Sequence, residues 1–235
     1  MDPNLRHSML DYYNERAPEY EEVYTLGKGS ASIPDPNVFK SEAASLGRIV
    51  ERFAHGRMID IACGTAYWLP YYASHCSNIT FFDQSEKMLG ECKKKVDILG
   101  IVEKSIVLRG DFFDLDFGHG AYDCALIGFF WSHLTELHEQ ILFNTLKNML
   151  GSSGRFLILD SAWSDQRAQF NEKVEHQERR LNDGRTFEIY KRYCNRDDIT
   201  RWAKRYDVTV CIEHFETAYC AVSGSYSGKS ASSSR

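Results

Sequence analysis

The sequence predicts an α/β protein, with one mostly parallel sheet covered by helices on both faces. Three observations predict it. Short strand-like runs at 58 to 61, 79 to 82, 105 to 108, 122 to 127 and 155 to 159 alternate with helix-patterned stretches, notably 85 to 99 and 134 to 149. Parallel strands need crossovers of this kind. The first run breaks off at Asp60 into the small residues Ala62, Gly64 and Ala66 before the aromatics Tyr67 and Trp68, a tight turn at a strand's C-terminal end. Two further β-rich runs, 208 to 213 and 218 to 222, close the chain, the first alternating as VTVCIE. They read as an antiparallel hairpin at or near one edge of a seven-stranded sheet.

Taken in order, residues 5 to 24 are helical material interrupted near Pro18, followed by the Gly/Ser/Pro loop TLGKGSASIPDP. Residues 37 to 54 carry helix-spaced apolar positions at Val38, Leu46, Ile49, Val50 and Phe53. Together, 1 to 54 form a helical cap. After the fifth strand, 163 to 195 is more chain than a crossover needs. It reads as a long helical segment, WSDQRAQFNEKVEHQERRL, then the turn NDG, then TFEIYKRYC, with a short helix from about 196. One domain spans 1 to 222, and the low-complexity tail 223 to 235, SGSYSGKSASSSR, is expected to be disordered.

A chain of 235 residues supports one sizeable core. Its 28 Lys and Arg against 33 Asp and Glu give a net charge of -5 without blocks of either sign, which argues against a general nucleic-acid or membrane-surface binder. Apolar runs are far short of a bilayer span and the N-terminus lacks a signal peptide's pattern, so a cytoplasmic protein is expected. The seven cysteines form no CxxC pair and read as buried free thiols. His133 and His138 lie five apart, off one helical face, and no metal is implied.

Small residues at 62, 64 and 66 let a ligand approach the backbone closely, and Asp83 ends the next strand 23 residues after Asp60, the spacing at which an acid takes ribose hydroxyls. The G-x-G-x-x-G fingerprint of a dinucleotide site is missing, which argues against a nicotinamide oxidoreductase. Asp60 is awkward beside a pyrophosphate. It suits a cationic ligand bearing an amino group and a sulfonium.

At these residues the chain resembles the class I S-adenosylmethionine-dependent methyltransferases of small-molecule type, whose first motif runs acidic-x-Gly-Cys-Gly-Thr-Gly. Here it stands as Asp60-Ile61-Ala62-Cys63-Gly64-Thr65-Ala66, with two glycines replaced by alanine. The resemblance runs from about 10 to 160 and implies a Rossmann-like three-layer sandwich with S-adenosylmethionine as cofactor. It implies that Asp60, Ala62, Cys63 and Gly64 form the cofactor turn, and that Asp83 and Gln84 in FFDQSEKML take the ribose, with Met88 near the adenine. Asp111 in LRGDFFDLDF would take the adenine amino group with Phe112 flanking the ring, and Gly128 would lie beside the methyl group. Tyr13 and Tyr20 stand in YYNERAPEYEEVY, which resembles the family's N-terminal helix over the cofactor.

Methyl transfer from a sulfonium needs no acid for the leaving group. It needs an acceptor lone pair held in line and water excluded, with a base only where the acceptor starts protonated. His133, in WSH after the fourth strand, is the candidate base, and Trp68 and Trp131 are candidate walls of the acceptor site. Arg179, Arg180, Arg185, Lys191 and Arg192 crowd the inserted segment of an otherwise acidic chain, and Arg179 and Lys191 are the candidates to meet an anionic group. The expected activity is methyl transfer to an oxygen or nitrogen of a small molecule by a monomer or homodimer. Nucleic acid is disfavoured as acceptor because GFFWSH stands where an Asn/Asp-Pro-Pro-aromatic motif would be. The rival reading is a non-catalytic cofactor-binding regulatory module.

Overall fold

The computed structural model describes residues 3–28 and 33–226, with side chains from residue 5. Residues 29–32 of the expected loop and 227–235 of the expected disordered tail lie outside the described residues.

Helix α1 (Pro3–Arg16) passes through a 3₁₀ turn at Ala17–Glu19 into the short α2 (Glu22–Leu26). Pro18 cannot donate within the helix and so accounts for the break. Helix α3 (Pro36–Phe53) starts at Asp35, whose carboxylate accepts the Asn37 N–H at 2.9 Å. Strands β1 (Gly56–Ile61), β2 (Cys76–Asp83), β3 (Ser105–Arg109), β4 (Cys124–Gly128) and β5 (Arg155–Ser161) then alternate with α4 (Leu69–Tyr72), α5 (Glu86–Ile98) and α6 (Glu136–Leu150). Next come β6 (Val174–Arg180), β7 (Thr186–Arg192), α7 (Arg196–Arg205), β8 (Val208–Phe215) and β9 (Tyr219–Tyr226).

The main sheet has seven strands in the order β3-β2-β1-β4-β5-β9-β8. β1 through β5 pair in parallel, and β9 runs antiparallel to both β5 and β8. The chain moves outward from β1 to β3 and then returns to β4, so the order reverses between β1 and β4. That reversal opens a crevice at the strands' C-terminal ends. One core cluster lies under α3, α4 and α5 (Leu46, Val50, Leu69, Cys92) and the other under α6 and α7 (Leu142, Leu146, Ile199, Trp202).

Three expectations fail. Residues 163–181 are not a long helix: after a 3₁₀ turn at Arg167–Gln169 the chain forms β6, which pairs with β7 in a separate two-stranded ribbon. Gln177 and Arg179 on β6, and Ile189 and Lys191 on β7, are the buried positions. The strand period is present, but mostly polar residues occupy its inward face, so hydrophobicity hides it. Residues 223–226 are likewise not tail but the end of β9, where Ser223, Gly224 and Ser225 pair with Leu157, Phe156 and Arg155. A side chain at Gly224 would sit 2.3 Å from the Phe156 ring, so the small residues there make room for a core aromatic. All seven cysteines are free and six are buried, but Cys211 faces outward from β8.

Glu42 ties α3 to the start of β9. Its buried carboxylate accepts the N–H groups of Thr217, Ala218 and Tyr219 at 2.8 to 3.1 Å, with the His214 ring at 3.3 Å. Among the described residues, no helix is long and apolar enough to cross a membrane.

Candidate active site

The turn after β1 is built from left-handed residues. Ala62, Gly64 and Ala66 have φ of 53°, 55° and 54°. The sequence suggests close approach as the reason for small residues here, and the backbone adds a second: alternate positions adopt a conformation that costs a non-glycine residue about 1 to 2 kcal/mol. Phe129, just past β4, is also left-handed at 55°. The two turns face each other across the β1/β4 reversal.

Between them lies a hollow whose walls include Ala62, Gly64, Asp83, Gln84, Met88, Asp111, Phe112, Gly128, Tyr13, Tyr20 and His133. The structure therefore brings together most of the expected cofactor residues. Asp83 is held in place by the Gly64 N–H on Oδ2 at 2.9 Å and the Ser85 N–H on Oδ1 at 2.8 Å. Burial raises its pKa against these hydrogen bonds. Asp111 accepts the Phe113 N–H at 3.0 Å and pairs with Arg6 of α1. Phe82, Phe113 and Phe130 supply the rest of an apolar slot.

Asp60 and Cys63 are not brought to the hollow. Asp60 turns into the core, where the Tyr72 hydroxyl donates to it at 2.6 Å and burial pushes its pKa up to about 7. Cys63 packs beneath the turn with its N–H on the Phe82 carbonyl. Trp68 lies in the core against Tyr24 and Tyr67, and Trp131 is buried under the Arg192 guanidinium, 3.8 Å from its ring centroid. Neither tryptophan lines the hollow or the one beside it.

That second hollow shares Tyr13, Tyr20, Phe129 and His133 with the first. Its further walls hold four buried cations: Arg16, Arg167, Arg179 and Lys191, between 1% and 7% exposed. Alternation along β6 and β7 decides which inserted cations face in. Arg179 and Lys191 do, whereas Arg180 is exposed, Arg185 pairs with Glu15 and Asp183, and Arg192 pairs with Glu139. Lys191 Nζ donates to Ser132 Oγ at 2.6 Å and faces Asp160 Oδ1 at 3.5 Å. Arg16 and Arg167 were missed by the sequence reading. Arg16 sits on the cap helix among tyrosines, and Arg167 in the stretch taken for surface helix.

His133 closes the boundary between the hollows. Its Nδ1 is 2.7 Å from the Tyr190 carbonyl, which only accepts, so Nδ1 carries the proton and Nε2 accepts from the Tyr13 hydroxyl at 2.7 Å. Burial first, then Lys191, pushes its pKa well below that of free histidine.

Helix α1 and the turn after it roof both hollows and are fastened to the loops below. Ser85 Oγ donates to Asn14 at 2.7 Å, Thr65 Oγ1 donates to Glu21 at 2.7 Å, and Glu15 bridges Lys87 and Arg185. Met9, Tyr12, Leu181 and Ile189 form a small core between α1 and the ribbon.

Residues 58–154 match the family described as "Methyltransferase domain". The chain therefore carries a methyltransferase domain, and its seven-stranded sheet has the class I methyltransferase fold. The matched segment runs from β1 to just before β5 and includes four strands of the sheet and much of the wall of the first hollow. No curated protein matches the chain in sequence. Among solved structures it is similar to a DhpI–SAM–HEP complex (TM-score 0.76, 18% identity, 95% of this chain and 99% of that one). It is also similar to an S-adenosylmethionine-dependent methyltransferase from Clostridium acetobutylicum ATCC 824 (0.61, 16%, 92% and 99%). A third is the glycopeptide N-methyltransferase MtfA complexed with S-adenosylmethionine (0.56, 14%, 77% and 93%). The first two likenesses, each over more than nine-tenths of this chain, extend the shared fold beyond the matched segment.

Proposed function

We propose that the methyltransferase transfers a methyl group to an oxygen or nitrogen of a small anionic molecule held in the second hollow. The observation that carries this reading is the wall of Tyr13, Tyr20, Phe129 and His133 common to both hollows, with four buried cations on the far side of it.

The first hollow suits S-adenosylmethionine, which is also bound in the structures of DhpI and MtfA. A buried, raised-pKa carboxylate at Asp83 calls for hydroxyl donors such as those of a ribose, and the slot between Met88 and Phe112 matches a flat ring. Asp83 and Gln84 would hold the ribose, Met88, Asp111 and Phe112 the adenine, and Ala62, Gly64 and Gly128 the backbone cradle. When bound, the cofactor supplies a methyl group activated by a sulfonium. The protein's part is to hold the acceptor in line, to face the sulfonium with the rings of Tyr13, Tyr20 and Phe129, and to keep water out under α1. His133 fixes the Tyr13 hydroxyl at the boundary. Arg179 and Lys191, joined by Arg16 and Arg167, would hold the acceptor's anionic group. An enclosure roofed by a helix and a ribbon accommodates a small molecule better than a protein or nucleic acid, and the reading requires neither a membrane nor a second subunit.

Formation of S-adenosylhomocysteine with a panel of small acids and their neutral analogues tests this. Turnover restricted to acids, with a Michaelis constant raised at least tenfold by Lys191→Met, is the expected result. Turnover of neutral analogues alone would overturn it.

A further inference from the structure

We infer that the atom methylated is an oxygen of the acceptor's own anionic group, so that the product is a methyl ester formed without any proton transfer. The inference rests on the proposed function and goes further by naming the acceptor atom.

Two features of the second hollow lead to it. The first is the charge. Arg16 donates to the Tyr12 hydroxyl and, at 3.0 Å, to the Lys28 carbonyl, and Arg167 donates to the carbonyls of Ala162 and Ala218 at 2.8 Å each. These partners satisfy hydrogen bonds but neutralise nothing. Asp160 faces Lys191, and its remaining hydrogen bonds come from the N–H groups of Ser132 at 2.9 Å and Ser161 at 2.7 Å. Burying several cations is costly unless an anion joins them. The same cations lie beside the shared wall: Arg16 is 5.4 Å from the Tyr20 ring centroid, Lys191 Nζ bonds to Ser132, the neighbour of His133, and Arg179 lines the hollow with them. All three disfavour protonation of His133. An oxyanion drawn to them therefore has its oxygens at that wall, and a hydroxyl or amine elsewhere on the molecule is held further from it.

The second feature is the lack of a usable base at the wall. The His133 lone pair is already taken by Tyr13, and its ring is surrounded by cations that weaken it as a proton acceptor. The phenols of Tyr13 and Tyr20 are buried and held in their protonated form. A neutral hydroxyl at this wall would find no free acceptor for its proton among His133, Tyr13 and Tyr20, with Tyr193 across the hollow held by the Gln177 amide and beneath the Arg167 guanidinium. An ammonium group would be repelled. An oxyanion needs neither, and the cations that weaken His133 keep an acid ionised.

The step balances as written. An oxygen lone pair of the anion forms the new O–C bond to the methyl carbon while the C–S bond of the sulfonium donor breaks. The bonding pair goes to sulfur, leaving a neutral thioether. The acceptor loses one negative charge, the donor loses its positive charge, and no proton moves. The ester carries one charge fewer than the acid and is held less tightly by Arg16, Arg167, Arg179 and Lys191, which favours its release.

Carboxylates and phosphoryl groups share this chemistry, and the test separates them. The full chain is incubated with S-adenosylmethionine labelled with ¹³C at the methyl carbon and with aliphatic and aromatic carboxylates, phosphate monoesters and phosphonates, each with and without a hydroxyl or amine. A labelled methyl resonance split by phosphorus identifies a phosphoryl ester, and labelled methanol released by mild base identifies a carboxylate ester. Either is the expected result, with a solvent deuterium isotope effect on turnover near unity. Label found as a base-stable ether or methylamine on an acidic molecule, or a solvent isotope effect clearly above unity as proton transfer in the transition state would give, would overturn the inference and leave the proposed function intact. Label transferred only to uncharged molecules would overturn both.

Discussion

The Tyr13 hydroxyl and His133 Nε2 lie 2.7 Å apart although 120 residues separate them, and this bond joins the roof of the site to its floor. Removing it with Tyr13→Phe keeps the ring and frees the imidazole. A loss of one buried hydrogen bond of about 1 kcal/mol or more should lower turnover on the order of tenfold, with S-adenosylhomocysteine affinity changed much less. Calorimetry alongside steady-state kinetics separates the two. An equal loss in both would mean that Tyr13 serves cofactor binding alone.

His133 also sets an expected pH dependence. Its native pKa is depressed, so the unfolded chain takes up a proton below about 6.5 that the native protein refuses. Stability therefore falls as pH drops through that value. Between pH 7 and 9 the ring stays neutral, and turnover should show no inflection from it. An inflection in that range that disappears in His133→Gln would restore the ring as a titrating base.

Asp60 has the opposite sign. Its pKa rises from 3.8 to about 7, chiefly through burial. Between those values the native state keeps a proton that the unfolded state releases, so stability declines as pH rises through this window and levels off above 7. Asp60→Asn retains an acceptor for Tyr72 without the charge. It should be more stable than the parent at pH 8 by up to about 4 kcal/mol, from roughly three units at 1.4 kcal/mol each. Denaturant unfolding at pH 5 and pH 8 checks this, and parallel declines in the two proteins would show that Asp60 is ionised throughout.

Asp83→Ala removes the carboxylate that closes the Gly64 turn and faces the cofactor hollow. Hydrogen bonds to a charged group are worth about 1.5 to 3 kcal/mol each, so S-adenosylhomocysteine affinity should fall at least tenfold, while NADH should not bind either protein. Unchanged affinity by calorimetry would put the ribose elsewhere.

Ala62→Gly tests the left-handed turn. Relief of about 1 to 2 kcal/mol of backbone strain is partly offset by the greater freedom of glycine in the unfolded chain, about 0.5 to 1 kcal/mol. A rise of a few degrees in melting temperature is expected. A fall would mean that the Ala62 methyl contributes more through its contacts than the turn loses in strain.

The sheet could be read from the sequence because each strand from β1 to β5 is an apolar run bounded by a turn, and the cofactor hollow because Gly64, Asp83 and Asp111 follow such strands at fixed places. The acceptor side was harder to read for one physical reason. β6 turns Gln177 and Arg179 inward, and β7 turns Lys191 inward, so the alternation that marks a strand was written in polar residues and resembled a solvated helix. Arg16 and Arg167 are ordinary surface residue types until folding buries them, and Trp68 and Trp131 looked like rim residues because strand ends leave open whether a large ring turns toward the crevice or the core. The end of β9 was concealed by Ser and Gly, which Phe156 requires.

Glu42 has a consequence for how this protein can be altered. The carboxylate that gathers the N–H groups of 217 to 219 belongs to α3, and the strand start it fixes carries the Ala218 carbonyl that accepts from Arg167 and the Tyr219 ring that lines the second hollow. The N-terminal stretch is thus both roof and foundation. Grafting the first 54 residues of a relative onto this sheet, in the hope of changing acceptor preference through the roof alone, would also move the far wall. Recombination within such enzymes is therefore expected to succeed at junctions after Phe53 only where an acid at the position of Glu42 comes with the graft.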